Sequence, residues 1–293
     1  MMTKLFRDNK EPLYGRQTEF MVIEPFAPSV VKEIMGYFNP EFGKEDLLAL
    51  YTYTGGVAKY VELLMDGGAT TAAKMLERIV AKNSYFIYEG KNMLIEEFER
   101  DYGRYFDILK LIASGHNTRG DIEGILHVEV SGYMTRLEND YGLIAKNKPM
   151  FQKSANKNIV YAVNDLFLQF WFRFIYKYNY FIEANAYKKL AEIVERDYEA
   201  YTGKVLESYF KNVMKESGHF THIDSWWDRK GENEIDMIAA DDLEKRVTFY
   251  EVKRQREELD MKMLKGKVQR FMEVTGMYGK YKVEVEGLCM DEM

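Results

Sequence analysis

Three residues near the C-terminal end have types and spacing that suit hydrolytic chemistry: Asp236, and the pair Glu251 and Lys253 in the run Glu251-Val252-Lys253. Residues 246–252 read as a β-strand, and alternation along a strand puts Glu251 and Lys253 on one face with Tyr250 and Val252 on the other. Asp236 falls in a preceding strand, 234–239, between apolar Ile235 and Met237 that would face inward. A hairpin between the two strands brings Asp236 within reach of Glu251. Two converging carboxylates with few competing ligands suit a hard, oxygen-preferring ion such as magnesium or manganese. A neighbouring lysine can neutralise developing charge or help to ionise an attacking water, and a cation held there can polarise a phosphodiester. The same residues also read as a surface ion pair between Glu251 and Lys253 with Asp236 capping a turn, because short motifs recur by chance.

The elements that must position these groups follow from periodicity. A helix over 196–216 carries the apolar stripe Val205, Leu206, Tyr209, Phe210 and Val213, with Glu207 beside it, and Gly218 ends it. Strands are expected over 220–227, 234–239 and 246–252, separated by the polar turns 228–233 and 240–245, and a helix over 262–275 follows. Lys253, Arg254, Arg256, Lys262, Lys265, Lys267 and Arg270 cluster just after the motif and could line a groove for a polyanion.

Upstream, the first third reads as almost all helical after one short strand at 20–23. Helices are expected over 30–37, capped by Ser29, and over 45–53, 57–65, 72–87 and 93–100. Residues 105–163 change character. Three helices, 105–113, one opened by Thr118 and Asp121, and 132–141 capped by Ser131, precede two strands, 143–146 and 158–163, which is the layout of a winged helix. Its third helix offers Thr135 and Arg136 beside Glu138 and Asp140, while the loop supplies Lys146, Lys148, Lys153 and Lys157 as a phosphate-facing surface. The aromatic run 160–182 is interrupted by Asp165, Arg173 and Lys177, so it reads as a core helix joining domains and not as a membrane span.

The chain has 293 residues, enough for two or three domains, and a net charge of −6, so affinity for nucleic acid must come from local basic patches. Its one cysteine, Cys289, excludes an internal disulfide framework and fits a reducing cytoplasm, and the four scattered histidines offer little for zinc.

The order of helix with Glu207, strand, strand with Asp236, strand with Glu251-Val252-Lys253, then helix resembles the PD-(D/E)XK nuclease superfamily. The resemblance implies that Asp236 and Glu251 hold magnesium or manganese, that Lys253 assists the nucleophile and that Glu207 contributes from the first helix. A wider resemblance is carried by Glu11-Pro12-Leu13-Tyr14-Gly15-Arg16, Pro25-Phe26, Thr54-Gly55-Gly56-Val57, Phe170-Trp171-Phe172 and Trp226-Trp227. These look like the later part of the archaeal-type ATPase family in the AAA+ and STAND group. It implies an α+β multidomain chain: an ATPase remnant and helical lid (1–100), a winged helix (101–165), linking aromatic helices (166–199) and a restriction-endonuclease-like α/β domain (200–293). No G-x-x-x-x-G-K-[ST] occurs in the sequence, so no complete ATP site is expected, and Lys59 stands where the family often has arginine. The expected partners are nucleic acid, contacted by Arg136, Lys146, Lys148, Arg254, Arg256 and Lys265, and a nucleotide-binding ATPase domain outside this sequence. No membrane contact is expected, and the oligomeric state is left open. The alternative function is a non-catalytic module that recognises nucleic acid or protein; the presence of Glu207, Asp236, Glu251 and Lys253 together favours chemistry.

Overall fold

A computed structural model describes residues 12, 14–16, 18–19, 21, 23–98, 102–151, 159–228 and 231–293. The fold is a mixture of helices and small sheets. In chain order the helices are α1 (Pro28–Phe38), α2 (Lys44–Thr54), α3 (Ala58–Met65), α4 (Ala72–Ile79), α5 (Tyr85–Phe98), α6 (Tyr102–Ala113), α7 (Arg119–Leu126) and α8 (Ser131–Asn139). Strands β1 (Ile144–Asn147) and β2 (Val160–Val163) follow, then α9 (Leu166–Phe170), α10 (Asn179–Glu183) and α11 (Tyr187–Ser217). The chain closes with β3 (His222–Trp227), β4 (Glu234–Asp241), β5 (Arg246–Val252), α12 (Met261–Thr275) and β6 (Lys282–Leu288). Two compact units share these elements, one built from residues 1–25, 77–147 and 160–191, the other from 26–76, 148–159 and 192–293.

In the first unit α6, α7 and α8 precede the antiparallel hairpin β1–β2, in which Ile144 faces Val163. Thr118 caps α7 through the Asp121 amide, as its sequence predicts. Ser131 does not cap α8: it lies inside the helix, and its hydroxyl turns back to Glu129. The aromatic run is not one regular helix. After α9, residues Trp171–Tyr176 widen into a π-helical turn, and Phe167, Leu168, Phe170, Trp171, Phe172, Phe174 and Ile175 are all buried, so more than one face is covered. The Trp171 indole donates to the Ile87 carbonyl at 2.9 Å, and Gly90 on α5 leaves the space its ring fills. The helix expected over 72–87 is broken: Asn83 adopts φ 62°, a left-handed turn that asparagine tolerates, so α4 ends and α5 restarts at Tyr85. The strand expected at 20–23 includes Phe20 and Val22, which lie outside the described residues, as do Lys153 and Lys157 of the proposed phosphate-facing loop.

In the second unit, α1 begins with Pro28 at its first turn after Ala27, and Ser29 is not its cap but binds Glu216 on α11. Gly56, with φ 76°, accepts the Phe26 amide at 2.7 Å, and a β-carbon there would strike the Phe26 backbone. The sheet runs β3-β4-β5-β6, antiparallel at the first two pairings and parallel at β5–β6, where α12 makes the crossover. Strand β6 lies beyond the strands expected from the sequence. One face of the sheet packs Trp226, Ile235, Ile238, Val247 and Phe249 against Leu264, Val268 and Phe271 of α12. Met150, 8% exposed, joins this core, and its amide bonds the Ser225 carbonyl at 2.9 Å. Met150 thus anchors residues 148–151 to this core as an apolar plug.

Candidate metal centre

The site forms where α11 meets the ends of β4 and β5 in the second unit. Strand pairing places it. Asp224 pairs with Ile238 and Trp226 with Ile235, so Asp236 and Met237 together oppose the single residue Ser225: a β-bulge. The bulge takes Asp236 out of the regular alternation that the sequence suggested. Its Oδ2 accepts the Val252 amide at 2.9 Å, while the Ser225 hydroxyl donates to its main-chain oxygen at 2.9 Å. The side chain therefore closes the end of the β4–β5 ladder and is only 7% exposed. Glu251, 4% exposed, accepts the Asp260 amide through Oε2 at 3.1 Å.

Lys253 stands between these two carboxylates, its Nζ 3.4 Å from Asp236 Oδ2 and 3.5 Å from Glu251 Oε1. Burial pulls its pKa down, but the charges of Asp236 and Glu251 outweigh that and hold it above the usual lysine range, so it remains an ammonium. Glu207 arrives from α11. One oxygen each of Glu207, Glu234 and Asp236 lie within 4.8 Å of one another. Burial, reinforced by the Asp236 charge and opposed by Lys204, pushes the Glu207 pKa up to about 7.

The four residues chosen from the sequence thus share one neighbourhood, and the structure adds four that sequence reasoning did not place in the site. Glu234 lies two residues before Asp236. Lys204 bridges Glu207 at 3.1 Å and Glu234 at 2.9 Å. Lys211 hydrogen-bonds Ser225, and burial lowers its pKa. Lys267 of α12 reaches Glu251 Oε1 at 3.6 Å. A signal was present for three of them: Lys204, Glu207 and Lys211 fall three and four residues apart on one helix face, and Glu234 shares strand parity with Asp236. Four lysines therefore accompany four acidic residues, where the sequence placed only Lys253 beside the carboxylates.

The donor set fits a hard divalent ion. Glu207, Glu234 and Asp236 each offer a carboxylate oxygen, the ligand type such an ion prefers, and the three lie within 4.8 Å of one another. Asp236, shared between this trio and the Glu251–Lys253 pair, is the residue through which either group would hold a cation.

The residues proposed to contact nucleic acid are dispersed. Arg136 is exposed on α8, with its guanidinium 3.5 Å from the Tyr105 hydroxyl. Lys146 pairs with Glu138 at 3.0 Å, and Lys148 is exposed. Arg254 points inward, its guanidinium bonding Thr202 at 2.5 Å and Glu45 on α2, over the Tyr198 ring. Arg256 pairs with Asp291 and Glu292. Lys265 is exposed on α12, together with Lys262 and Arg270. Lys59 is exposed and pairs with Glu62 at 3.3 Å. Among the described residues no helix is long and apolar enough to cross a membrane.

Residues 171–266 match DUF234, a family of archaeal and bacterial proteins of unknown function. The chain is 30% identical over 294 residues to an uncharacterized protein, MJECL04, of Methanocaldococcus jannaschii. That alignment takes in 96% of this chain and 64% of the relative, so the chain spans just under two-thirds of the relative's length. No solved structure matches the chain.

Proposed function

We propose that this chain is the nucleic-acid-handling part of an AAA-type ATPase and that its C-terminal region hydrolyses phosphodiester bonds with a divalent cation. The observation that carries the reading is a convergence: Glu207 of α11 and Asp236 of β4 share one cluster of oxygens, and Lys253, just after β5, bridges Asp236 and Glu251. The element order supports it: helix, three antiparallel strands, crossover helix and a parallel fourth strand. Asp236 and Glu251 would hold magnesium or manganese, with Glu207 closing the shell. When bound, the cation supplies Lewis-acid polarisation of the phosphate and lowers the pKa of a water. Lys253, fixed as an ammonium, neutralises charge that builds on the phosphate oxygens as water adds and the P–O bond to the leaving sugar breaks. The exposed cations Lys262, Lys265 and Arg270 on α12 supply attraction for the phosphate backbone, and three helices with a hairpin in the first unit supply a winged-helix-like second contact. Nucleotide control on this reading comes from a P-loop region outside the sequence.

One observation favours the second reading, a non-catalytic module. Lys204 pairs with Glu207 and Glu234, Lys253 with Asp236 and Glu251, and Lys267 with Glu251, so each acidic group of the cluster already has a lysine beside it without a cation. Cleavage assays separate the two. Wild type, Asp236→Ala and Lys253→Ala are incubated with linear, branched and single-stranded DNA and with RNA, in magnesium or manganese. Slow manganese-stimulated cleavage by wild type alone supports hydrolysis. Equal residual cleavage in all three marks a contaminant, and retention of nucleic acid without cleavage under either ion supports the binding module.

A further inference from the structure

We propose that Lys267 is a positioning residue that fixes Glu251 for cation binding, leaving Lys253 free to engage the phosphate of the substrate. The inference rests on the hydrolytic reading above. Two ammoniums face the same oxygen, Glu251 Oε1: Lys253 at 3.5 Å and Lys267 at 3.6 Å. Their surroundings differ. Lys253 stands in the gap between Asp236 and Glu251, which is where a cation shared by those carboxylates must sit, so binding displaces it. Lys267 approaches from α12, and its side chain is 16% exposed against 35% for Lys253.

Lys267 is also held in place. Its neighbours Leu264, Val268 and Phe271 are buried in the core, which fixes the rotation of α12. The start of the same helix supplies the other restraint on Glu251. Asp260 caps α12 through the Met263 amide at 2.8 Å, and its own amide donates to Glu251 Oε2 at 3.1 Å. One rigid element thus holds both oxygens of the carboxylate. When Lys253 leaves, Glu251 keeps its aim, and the released ammonium can pair with a phosphate oxygen brought in by the nucleic acid.

This division of labour separates affinity from rate. Lys267 competes electrostatically with a cation for Glu251 Oε1, so removing its charge tightens metal binding, while the loosened carboxylate slows the chemistry. Manganese titration of the metal-free full chain, read by calorimetry, and single-turnover cleavage of a DNA oligonucleotide are measured on wild type, Lys267→Met and Lys267→Arg. We expect Lys267→Met to bind manganese about 3- to 30-fold more tightly, the range for one unit charge removed at close distance in a partly screened site, and to cleave at least about tenfold more slowly. Lys267→Arg, which keeps the charge, should restore affinity and most of the rate. If the methionine variant does not fold, Lys267→Gln takes its place: it removes the charge but keeps a donor to Glu251, so manganese should bind more tightly by the same factor while less of the rate is lost. A variant whose affinity and rate fall together with its melting temperature, or one that changes neither, overturns the assignment and leaves the hydrolytic reading standing. Wild type that neither binds manganese nor cleaves overturns that reading and the assignment with it.

Discussion

Glu207 makes the stability of the metal-free protein depend on pH in a defined direction. Its pKa in the folded chain is about 7, against an ordinary value of 4.5, because it is buried and faces Asp236. Between those values the folded chain holds a proton that the unfolded chain has released, so stability falls as pH rises through the window and is lowest above it. At about 1.4 kcal/mol per unit the displacement sets a ceiling of about 3 kcal/mol. The side chain is 14% exposed, so most of that survives solvent screening. Glu207→Gln removes the titration while keeping shape. In chelator-treated protein the variant should be more stable than wild type by about 1–3 kcal/mol at pH 8, with the advantage gone by about pH 4. Urea denaturation at a series of pH values, followed by tryptophan emission, measures this. Parallel pH profiles for the two proteins, or a variant weaker than wild type at pH 8, would refute the reasoning.

Met150→Ala should cost about 2–5 kcal/mol, because it empties a core position among Trp226, Phe271 and Tyr278. A shift of the urea midpoint worth under about 1 kcal/mol would show that the plug is not anchored there. Gly90→Ala places a methyl group against the Trp171 ring and should destabilise by about 1–3 kcal/mol, with altered indole emission; an unchanged spectrum and midpoint contradict the packing. Arg254→Lys loses the fork that joins Thr202 and Glu45 and should lower the melting temperature, whereas an exposed phosphate-binding arginine would tolerate lysine and lose only nucleic-acid affinity. ATP titrated into this chain by calorimetry should give no binding heat, since the sequence carries no phosphate-cradling P-loop. Micromolar binding would overturn the reading of its first third.

The strands around the candidate site were legible because alternation and polar turns mark them clearly: Arg246–Val252 is found where the pattern places it, and β3 and β4 differ by about two residues at their ends. The bulge at Asp236 was not legible, since it depends on how β4 pairs with Ser225 and not on the residues of β4 alone. Lysines on α11 carry the same sequence signal as any solvated helix face, and only the packing of α11 beside β4 turns Lys204 and Lys211 toward the carboxylates. Arg254 shows the converse. It sits in a basic run that reads as surface, yet Tyr198, Thr202 and Glu45 draw it inward. The aromatic run was recognised as core, but its π-helical turn cannot be told from an α-helix by three- and four-residue spacing.

If Asp236 and Glu251 share one divalent cation, the metal-free chain must take up manganese. Free manganese is followed by its electron paramagnetic resonance signal as protein is added, for wild type, Asp236→Asn and Glu251→Gln. Wild type should show saturable uptake near one ion per chain, weakened at least about tenfold in each variant and tightened by an oligonucleotide whose phosphates complete the shell. Uptake that is absent from wild type, or equal in all three proteins, would contradict it.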